Sequence, residues 1–166
     1  NMDRFCKPSF WDELHLQKQD YFVLTLHRPG NVDEAENFIS LLTTIEQCAR
    51  GKTVVYPVHP RSAKNVSSLG SLTSNIAFIE PQPYLEFNYL VQNAKAVITD
   101  SGGITEETTV MGIPCMTLRD STERPETISM GTNELVGTEP ENLIPYFDCL
   151  FQGNWKEGKI PPKWDG

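Results

Sequence analysis

Short apolar runs alternate with amphipathic segments along most of this chain. An apolar run at residues 21–26 ends in a His-Arg-Pro-Gly-Asn turn and predicts a β-strand. Between residues 33 and 50, apolar side chains recur at the spacing of one helix face, and Gly51 follows as a stop signal. That apolar face consists of Phe38, Leu41, Leu42, Ile45 and Ala49. The first pattern is therefore a strand followed by a helix.

The same alternation continues to the end of the chain. Further strands are predicted at 53–58, 76–79, 96–99, 115–118 and 134–136. Further helices are predicted at 84–92, 103–111, 122–129 and 140–151. Strands that alternate with helices indicate an α/β fold, in which helices cover both faces of a parallel sheet.

Residues with charged, titratable or hydrogen-bonding side chains follow five of these strands. They lie at 27–28, 59–61, 81–82, 100–102 and 119–120. Parallel sheets bind ligands at the carboxyl ends of their strands, so these residues are expected to share one edge. The sequence therefore predicts a functional cleft at that edge.

The segment Ile-Thr-Asp-Ser-Gly-Gly-Ile-Thr-Glu-Glu at 98–107 joins a predicted strand to a helix N-terminus. Free backbone N–H groups and the helix dipole favour an anion there. Gly102 and Gly103 let a ligand approach the backbone, and Ser101 can cap the helix or bind a phosphate oxygen. Glu106 and Glu107 follow one turn later, where a carboxylate can accept ribose hydroxyls. A capped helix with two solvated glutamates is an equally open interpretation.

Two histidines follow predicted strands. His27 can transfer protons or donate a hydrogen bond to a phosphate. The planar guanidinium of the adjacent Arg28 can bind an anion through two parallel hydrogen bonds. A solvated Arg28 in an ordinary loop is the alternative. His59, held extended by Pro60, is either a second ligand-binding histidine or a structural one. With His15 in an amphipathic N-terminal stretch, the three histidines form no close pair, which argues against a catalytic metal site.

Aromatic side chains follow the predicted strand at 76–79. Tyr84 or Phe87 could stack on a flat base whose edge is read by Gln82 or a backbone group. Packing of Phe87 in the core is the simpler interpretation.

Arg124 lies at the start of the predicted helix 122–129, where its charge opposes the helix dipole. This position favours a bound anion, and a diphosphate shared with Ser101 and Gly102 would supply one. An exposed salt bridge between Arg124 and Glu123 is the alternative.

Composition narrows the function classes. The 166 residues suit one domain, or one half of a two-domain protein. The net charge of −8 argues against a general nucleic-acid binder and against adhesion to anionic membranes.

Four widely spaced cysteines indicate buried thiols in a reducing compartment, not disulfides or a metal site: Cys6, Cys48, Cys115 and Cys149. With no secretory signal and no apolar run of about 18 residues, a cytoplasmic location is expected.

Taken together, these motifs resemble the non-hydrolysing UDP-N-acetylglucosamine 2-epimerase family. The motifs are HRxxNVD at 27–33, VYPVH at 55–59, PQxYxxF at 81–87, TDSGGIxEE at 99–107, RDxTERPE at 119–126 and IPPxWDG at 160–166. The resemblance implies a glycosyltransferase-B-like fold with two Rossmann-like halves and the active site between them. This chain is similar to the C-terminal half. We therefore expect a linker or hinge at 1–20 and a Rossmann-like UDP-binding domain at 21–166, with the N-terminal half missing.

The resemblance also implies roles for individual residues. Uracil would bind to Gln82 and Phe87, and the ribose hydroxyls would bind to Glu107. The diphosphate would bind at Ser101, Gly102, Gly103 and Arg124. His27 would face the diphosphate and the sugar as the catalytic residue of this half. Arg28 and His59 match residues that help bind a second, activating UDP-N-acetylglucosamine in bacterial members, although Pro29-Gly30 departs from the usual pattern.

The implied reaction inverts C2 of UDP-N-acetylglucosamine by eliminating UDP to give 2-acetamidoglucal and adding it back on the other face. It needs no cofactor and no metal. The general acid/base carboxylates belong to the N-terminal half, so this chain is expected to be inactive alone. A homodimer and a role in cell-surface polysaccharide biosynthesis are further implications, and a related UDP-2,3-diacetamido uronic acid would fit the same nucleotide pocket. A UDP-sugar glycosyltransferase of the same fold and a non-catalytic nucleotide-sugar binding module remain the alternatives.

Overall fold

A single parallel sheet organises the chain. The computed structural model describes residues 2–58, 66, 75–162 and 164, so His59 lies outside the described part. The six strands are β1 Phe22–Thr25, β2 Val54–Pro57, β3 Ile76–Ile79, β4 Ala96–Thr99, β5 Cys115–Thr117 and β6 Asn133–Leu135. They are ordered β3-β2-β1-β4-β5-β6, and every neighbouring pair is parallel. The predicted α/β, Rossmann-like fold is confirmed.

Helices connect the strands. In the described part of the chain, the α-helices with defined bounds are α1 Pro29–Val32, α2 Ala35–Cys48, α3 Tyr84–Gln92, α4 Gly102–Met111, α5 Glu126–Ser129 and α6 Leu143–Phe151. Short 3-10 helices lie at Met2–Arg4 and Pro140–Asn142. No helix in the described ranges is long and apolar enough to cross a membrane.

The sheet separates two apolar cores because side chains of a strand point alternately to its two faces. On β1, Phe22 and Leu24 enter the core that contains Phe38 of α2 and Phe147 of α6. Val23 enters the opposite core. That second core also contains Trp11, Tyr21, Val55, Leu90, Val97 and Cys115. The predicted apolar face of α2 is buried as expected.

Three predicted elements differ in detail. The turn expected after β1 contains the short helix α1. The helix expected at 122–129 begins only at Glu126, because the Thr122 hydroxyl accepts the Arg124 backbone N–H at 3.0 Å and holds the preceding residues in a turn. The helix expected at 140–151 is divided into a 3-10 turn followed by α6.

The N-terminal segment packs against α3 and the second core. The Trp11 ring meets the rings of Tyr21 and Tyr89 edge-on, at centroid distances of 5.5 and 5.3 Å. The backbone N–H of Cys6 donates to the carbonyl of Leu85 at 3.2 Å. These contacts fix this segment to the helix that follows β3.

Candidate functional site

The ends of β1 and β4 are joined by a buried pair of hydroxyls. Thr25 and Thr99 are register partners, and their Oγ1 atoms lie 2.7 Å apart. The Ser101 backbone N–H donates to Thr99 Oγ1 at 3.0 Å. Because β1 and β4 are central neighbours, this pair fixes the two loops that begin the candidate site.

Asp100, directly after β4, organises the loop after β1. Its carboxylate is 2% exposed and accepts the His27 N–H at 2.9 and 3.0 Å, the Arg28 N–H at 2.9 Å and Asn31 Nδ2–H at 2.9 Å. Burial opposes ionisation of Asp100, but hydrogen bonds from His27, Asn31 and Arg28 outweigh it and lower its pKa. Sequence reasoning placed Asp100 among the strand-end residues but gave it no role.

A shallow depression, here called the His27 depression, lies beside these loops. Its lining residues are Thr25, His27, Pro57, Pro81, Gln82, Phe87 and Ile104. The structure thus brings together His27, Gln82 and Phe87, three of the predicted site residues. Phe87 is half-buried and packs against the second core, so its packing role is confirmed, whereas stacking on a base stays a prediction. Tyr84 is 63% exposed and contacts the Phe5 ring, outside this lining.

The N-terminus of α4 lies at the carboxyl edge of the sheet, as predicted. Ser101 occupies the N-cap position, but its side chain makes no capping hydrogen bond, so the capping role is not observed. A Cβ atom on Gly102 would lie 3.3 Å from Nη1 of Arg119. The first turn of α4 therefore presents main-chain N–H groups beside a guanidinium, an arrangement that suits an anion.

Arg119 belongs to the strand ends that the sequence analysis placed in the cleft, but it was given no individual role. It follows β5 and is only 8% exposed. Its guanidinium forms a bidentate ion pair with Glu123, with Nη1 3.1 Å from Oε2 and Nη2 2.6 Å from Oε1. The hydrogen bonds from Arg119 lower the pKa of Glu123 to about 2. The Arg-Asp dipeptide at 119–120 was the available signal, because a buried arginine at a strand end needs an anionic partner.

Arg124 also reaches α4, but through a different carboxylate. Its Nε donates to Glu106 at 2.7 Å, and both side chains are partly exposed. The alternative salt bridge between Arg124 and Glu123 is therefore wrong: Glu123 pairs with Arg119, and Glu106 supplies the anion beside Arg124. This contact places Arg124 against the first turns of α4, as a shared anion site requires.

Glu107 is half-buried on α4, one turn after Ile104. Residues three apart share a helix face, so Glu107 lies on the side of α4 that borders the His27 depression. Burial and the negative charge of Glu106 raise the pKa of Glu107. Hydrogen bonds from the hydroxyl groups of a ligand would stabilise a carboxylate in this environment.

Arg28 lies in a second depression, separate from that of His27. It shares this lining with Arg119 and Asp120. The predicted pairing of Arg28 with His59 falls partly outside the described residues and stays a prediction. Within the described ranges, no group of three His, Cys, Asp or Glu side chains could hold a metal ion.

The cysteines carry no disulfide. All four are free, but the expectation of buried thiols is confirmed only for Cys115, because Cys6 is exposed and Cys48 and Cys149 are only partly buried. Cys115 is fully buried, and burial raises the pKa of its thiol to about 12. Cys48 is partly buried and its pKa is also raised, chiefly by burial. Neither thiol has the low pKa of a nucleophilic cysteine.

Comparison with known proteins identifies the family. The family model described as UDP-N-acetylglucosamine 2-epimerase matches residues 3–159. The chain belongs to the UDP-N-acetylglucosamine 2-epimerase family. A curated epimerase of this name from Methanococcus maripaludis is 41% identical over 145 residues.

Two further comparisons define how this epimerase-family chain relates to its relatives. A crystal structure of the Methanocaldococcus jannaschii epimerase in complex with UDP-GlcNAc and UDP is 37% identical, with a TM-score of 0.75 over 92% of this chain. UDP-2,3-diacetamido-2,3-dideoxy-D-glucuronate 2-epimerase from Pseudomonas aeruginosa is 37% identical over 131 residues, or 78% of this chain.

The epimerase-family chain is much shorter than these relatives. The alignments cover 83% of this chain but 40% of the Methanococcus protein, and 37% of the Pseudomonas protein. The structural match covers 44% of the Methanocaldococcus chain. The chain therefore spans less than half the length of the family members it matches.

Proposed function

We propose that the His27 depression and the N-terminus of α4 form the UDP-binding site of a UDP-N-acetylglucosamine 2-epimerase. The observation that carries this proposal is their adjacency. A partly apolar recess lined by Phe87 and Gln82 borders the N-terminus of α4. The N-cap residue of that helix, Ser101, makes no capping hydrogen bond with its side chain. A flat base suits the recess and a diphosphate suits the helix N-terminus, and a ribose would lie between these two environments.

In this proposal each predicted residue has a distinct role. Uracil lies against Phe87, with its polar edge at Gln82. The half-buried carboxylate of Glu107 accepts the ribose hydroxyls, which offset the cost of its burial. The diphosphate lies on the backbone N–H groups of Gly102 and Gly103 and the hydroxyl of Ser101.

The two arginines supply the positive charge that an acidic chain must concentrate locally. Arg124 and Arg119 are held near α4 by Glu106 and Glu123. A diphosphate carries more charge than either carboxylate and offers more acceptor oxygens, so it can recruit both guanidinium groups. Their position would stabilise the negative charge that UDP gains as it leaves the sugar.

We propose that the complete enzyme interconverts UDP-GlcNAc and UDP-ManNAc. A base removes the C2 proton while the bond between C1 and the UDP oxygen breaks, which gives 2-acetamidoglucal and UDP. Addition of UDP to C1 and of a proton to the other face of C2 completes the inversion. His27 lines the same depression next to the N-terminus of α4, and its doubly protonated ring would donate Nε2–H to the departing diphosphate.

The remaining chemistry belongs to a second half of the protein. The general acid/base carboxylates and most of the sugar contacts would come from an N-terminal half that packs over this cleft, so the chain alone is proposed to bind UDP without epimerising. A homodimer and a role in supplying N-acetylmannosamine units for cell-surface polysaccharide belong to the same proposal. Contacts from the missing half would decide between UDP-GlcNAc and a diacetamido uronic acid.

An isotope-exchange experiment tests this proposal. UDP-GlcNAc is incubated in D₂O with the 166-residue chain or with the gene product that includes its upstream sequence, and C2 is followed by proton NMR. The longer protein is expected to deuterate C2 and form UDP-ManNAc, while the chain alone forms neither. Sugar transfer without C2 deuteration by the longer protein would support the glycosyltransferase alternative, and epimerisation by the chain alone would refute the inactivity of this half.

A further inference from the structure

The loop after β1 depends on a single carboxylate. Four hydrogen bonds reach Asp100, and all their donors lie between His27 and Asn31. Three of them converge on Oδ2, from the backbone N–H groups of His27 and Arg28 and from Asn31 Nδ2. Such bonds to a buried carboxylate are charge-assisted, so this contact fixes the loop that carries His27.

The same carboxylate faces the His27 ring. The distance from His27 Nδ1 to Asp100 Oδ1 is 3.8 Å. Nε2 lies on the opposite side of an imidazole, and the His27 side chain is 48% exposed and lines the His27 depression. In a neutral imidazole one nitrogen carries the proton and the other accepts. A carboxylate beside Nδ1 favours the proton there, so that Nε2 is the nitrogen that gains the second proton when the ring becomes an imidazolium.

We propose that Asp100 is a positioning residue for His27, which it holds by its backbone and keeps in the Nδ1–H form. The role of His27 toward a ligand rests on the proposed function, whereas its ring orientation and tautomer do not. Among the described residues, Arg119 is a further charged group that interacts with Asp100, and its pKa rises partly through the Asp100 charge. Arg119 favours the ionised carboxylate and so acts in the same direction.

Replacement of the carboxylate by an amide gives a specific outcome. In an Asp100→Asn variant the amide oxygen is best placed at the Oδ2 position, where three N–H donors converge. The amide NH₂ then occupies the Oδ1 position, where the His27 backbone N–H keeps only its bond to the other oxygen, and it faces His27 Nδ1 as a donor. Two donors cannot share a hydrogen bond, so His27 is expected to switch to the Nε2–H tautomer.

The tautomer is measured directly by long-range ¹H–¹⁵N correlation NMR of the 166-residue chain at pH 8.5 or above, beyond the ordinary histidine pKa of about 6.5. His27→Gln identifies the His27 signals among three histidines. Asp12→Asn is the matched control, because its side chain is 88% exposed. Wild type and Asp12→Asn are expected to show Nδ1–H, and Asp100→Asn to show Nε2–H.

Titration with UDP provides the second readout. Asp100→Asn is expected to weaken UDP binding about tenfold, because the loop is no longer held by a carboxylate and the ring no longer has a negative charge beside it to support an imidazolium, whose Nε2–H would make a charge-assisted hydrogen bond to the diphosphate. A wild-type chain that fails to bind UDP would count against the proposed function alone, because the tautomer readout needs no ligand.

Two results overturn the positioning role. One is an Nε2–H tautomer of His27 in the wild-type chain, which tests the proposal even where Asp100→Asn does not fold. The other is a folded Asp100→Asn variant with an unchanged His27 tautomer. Asn31→Ala removes one donor but keeps the carboxylate, so it is expected to retain Nδ1–H. Loss of Nδ1–H in that variant would transfer the positioning role from Asp100 to Asn31.

Discussion

Glu123 holds the Arg119 guanidinium with both carboxylate oxygens, and it does so at the N-terminus of α4. Its Oε2 lies 3.5 Å from the position of a Cβ atom on Gly102, close to where a bound anion would accept from the first turn. Glu123 therefore lies in the electrostatic position that a phosphate would take in the proposed site. There, a diphosphate would have to displace this carboxylate to reach Arg119.

The first prediction follows from that competition. Glu123→Gln removes a negative charge beside the proposed diphosphate site, so UDP is expected to bind about two- to fivefold more tightly at low ionic strength. Isothermal titration calorimetry at two salt concentrations measures the effect, which salt should reduce. Glu157→Gln, which makes the same change at an exposed site, is the control. Weaker binding by Glu123→Gln would mean that Glu123 orients Arg119 for the ligand.

The second prediction concerns the hydroxyl pair at the ends of β1 and β4. Thr99→Val leaves the buried Thr25 hydroxyl and the Ser101 N–H without their partner. Unfolding by urea should show a loss of about 1–3 kcal/mol, the typical cost of unsatisfied buried polar groups. Thr25→Val removes only the hydrogen bond between the two hydroxyls, so it should lower the free energy of unfolding by less than Thr99→Val does. A double variant whose loss equals the sum of the two single losses would show that the hydroxyls are not coupled.

The third prediction tests the packing of α5 against α4. A Cβ atom on Gly131 would lie 2.6 Å from both Thr109 Oγ1 and the Thr127 carbonyl oxygen. Gly131→Ala should therefore destabilise the fold by about 1–3 kcal/mol or more, as overpacking does. At Gly30 the same change meets nothing within 4 Å, so Gly30→Ala is the control and should not lower the melting temperature. Equal stabilities of the two variants would contradict the packing described.

The fourth prediction concerns stability in acid. The pKa of Asp100 is lower in the folded chain than its ordinary value, so its ionisation stabilises the fold above the unfolded-state pKa of about 3.9. That contribution is lost as the pH falls through the folded-state pKa. Asp100→Asn should therefore be less stable than wild type at pH 7, with a difference that shrinks toward pH 2. A constant difference across this range would show that ionisation of Asp100 contributes nothing.

The sequence predicted the fold well because its local signals agreed with tertiary packing. β3, α3 and β4 begin and end as predicted, since Pro81 and Pro83 separate β3 from α3 and the β-branched run at 96–99 is fully buried. Predicted element bounds were wrong where a single side-chain hydrogen bond, rather than a repeated sequence pattern, decides the structure. One such case is α5, which a hydroxyl of Thr122 delays by several residues.

The site was predicted only in part. Strand-end positions brought His27, Gln82 and Phe87 to one depression because parallel strands end on one edge. The pairing of charges could not be predicted from distance along the chain, which favours Arg124, next to Glu123, over Arg119, four residues away. Only the three-dimensional structure shows that the buried arginine takes Glu123 and the exposed one takes Glu106. The convergence of N–H donors on Asp100 is likewise a long-range property, separated by about seventy residues of chain.

The central claim is that this cleft binds UDP, and one calorimetric titration tests it most directly. The 166-residue chain is titrated with UDP beside Glu107→Gln and Arg124→Gln, which remove the proposed ribose acceptor and one proposed diphosphate donor. Saturable one-to-one binding is expected for wild type, and each variant should bind about tenfold more weakly. Saturable UDP binding that both variants retain at full strength would place the nucleotide elsewhere and contradict the site described.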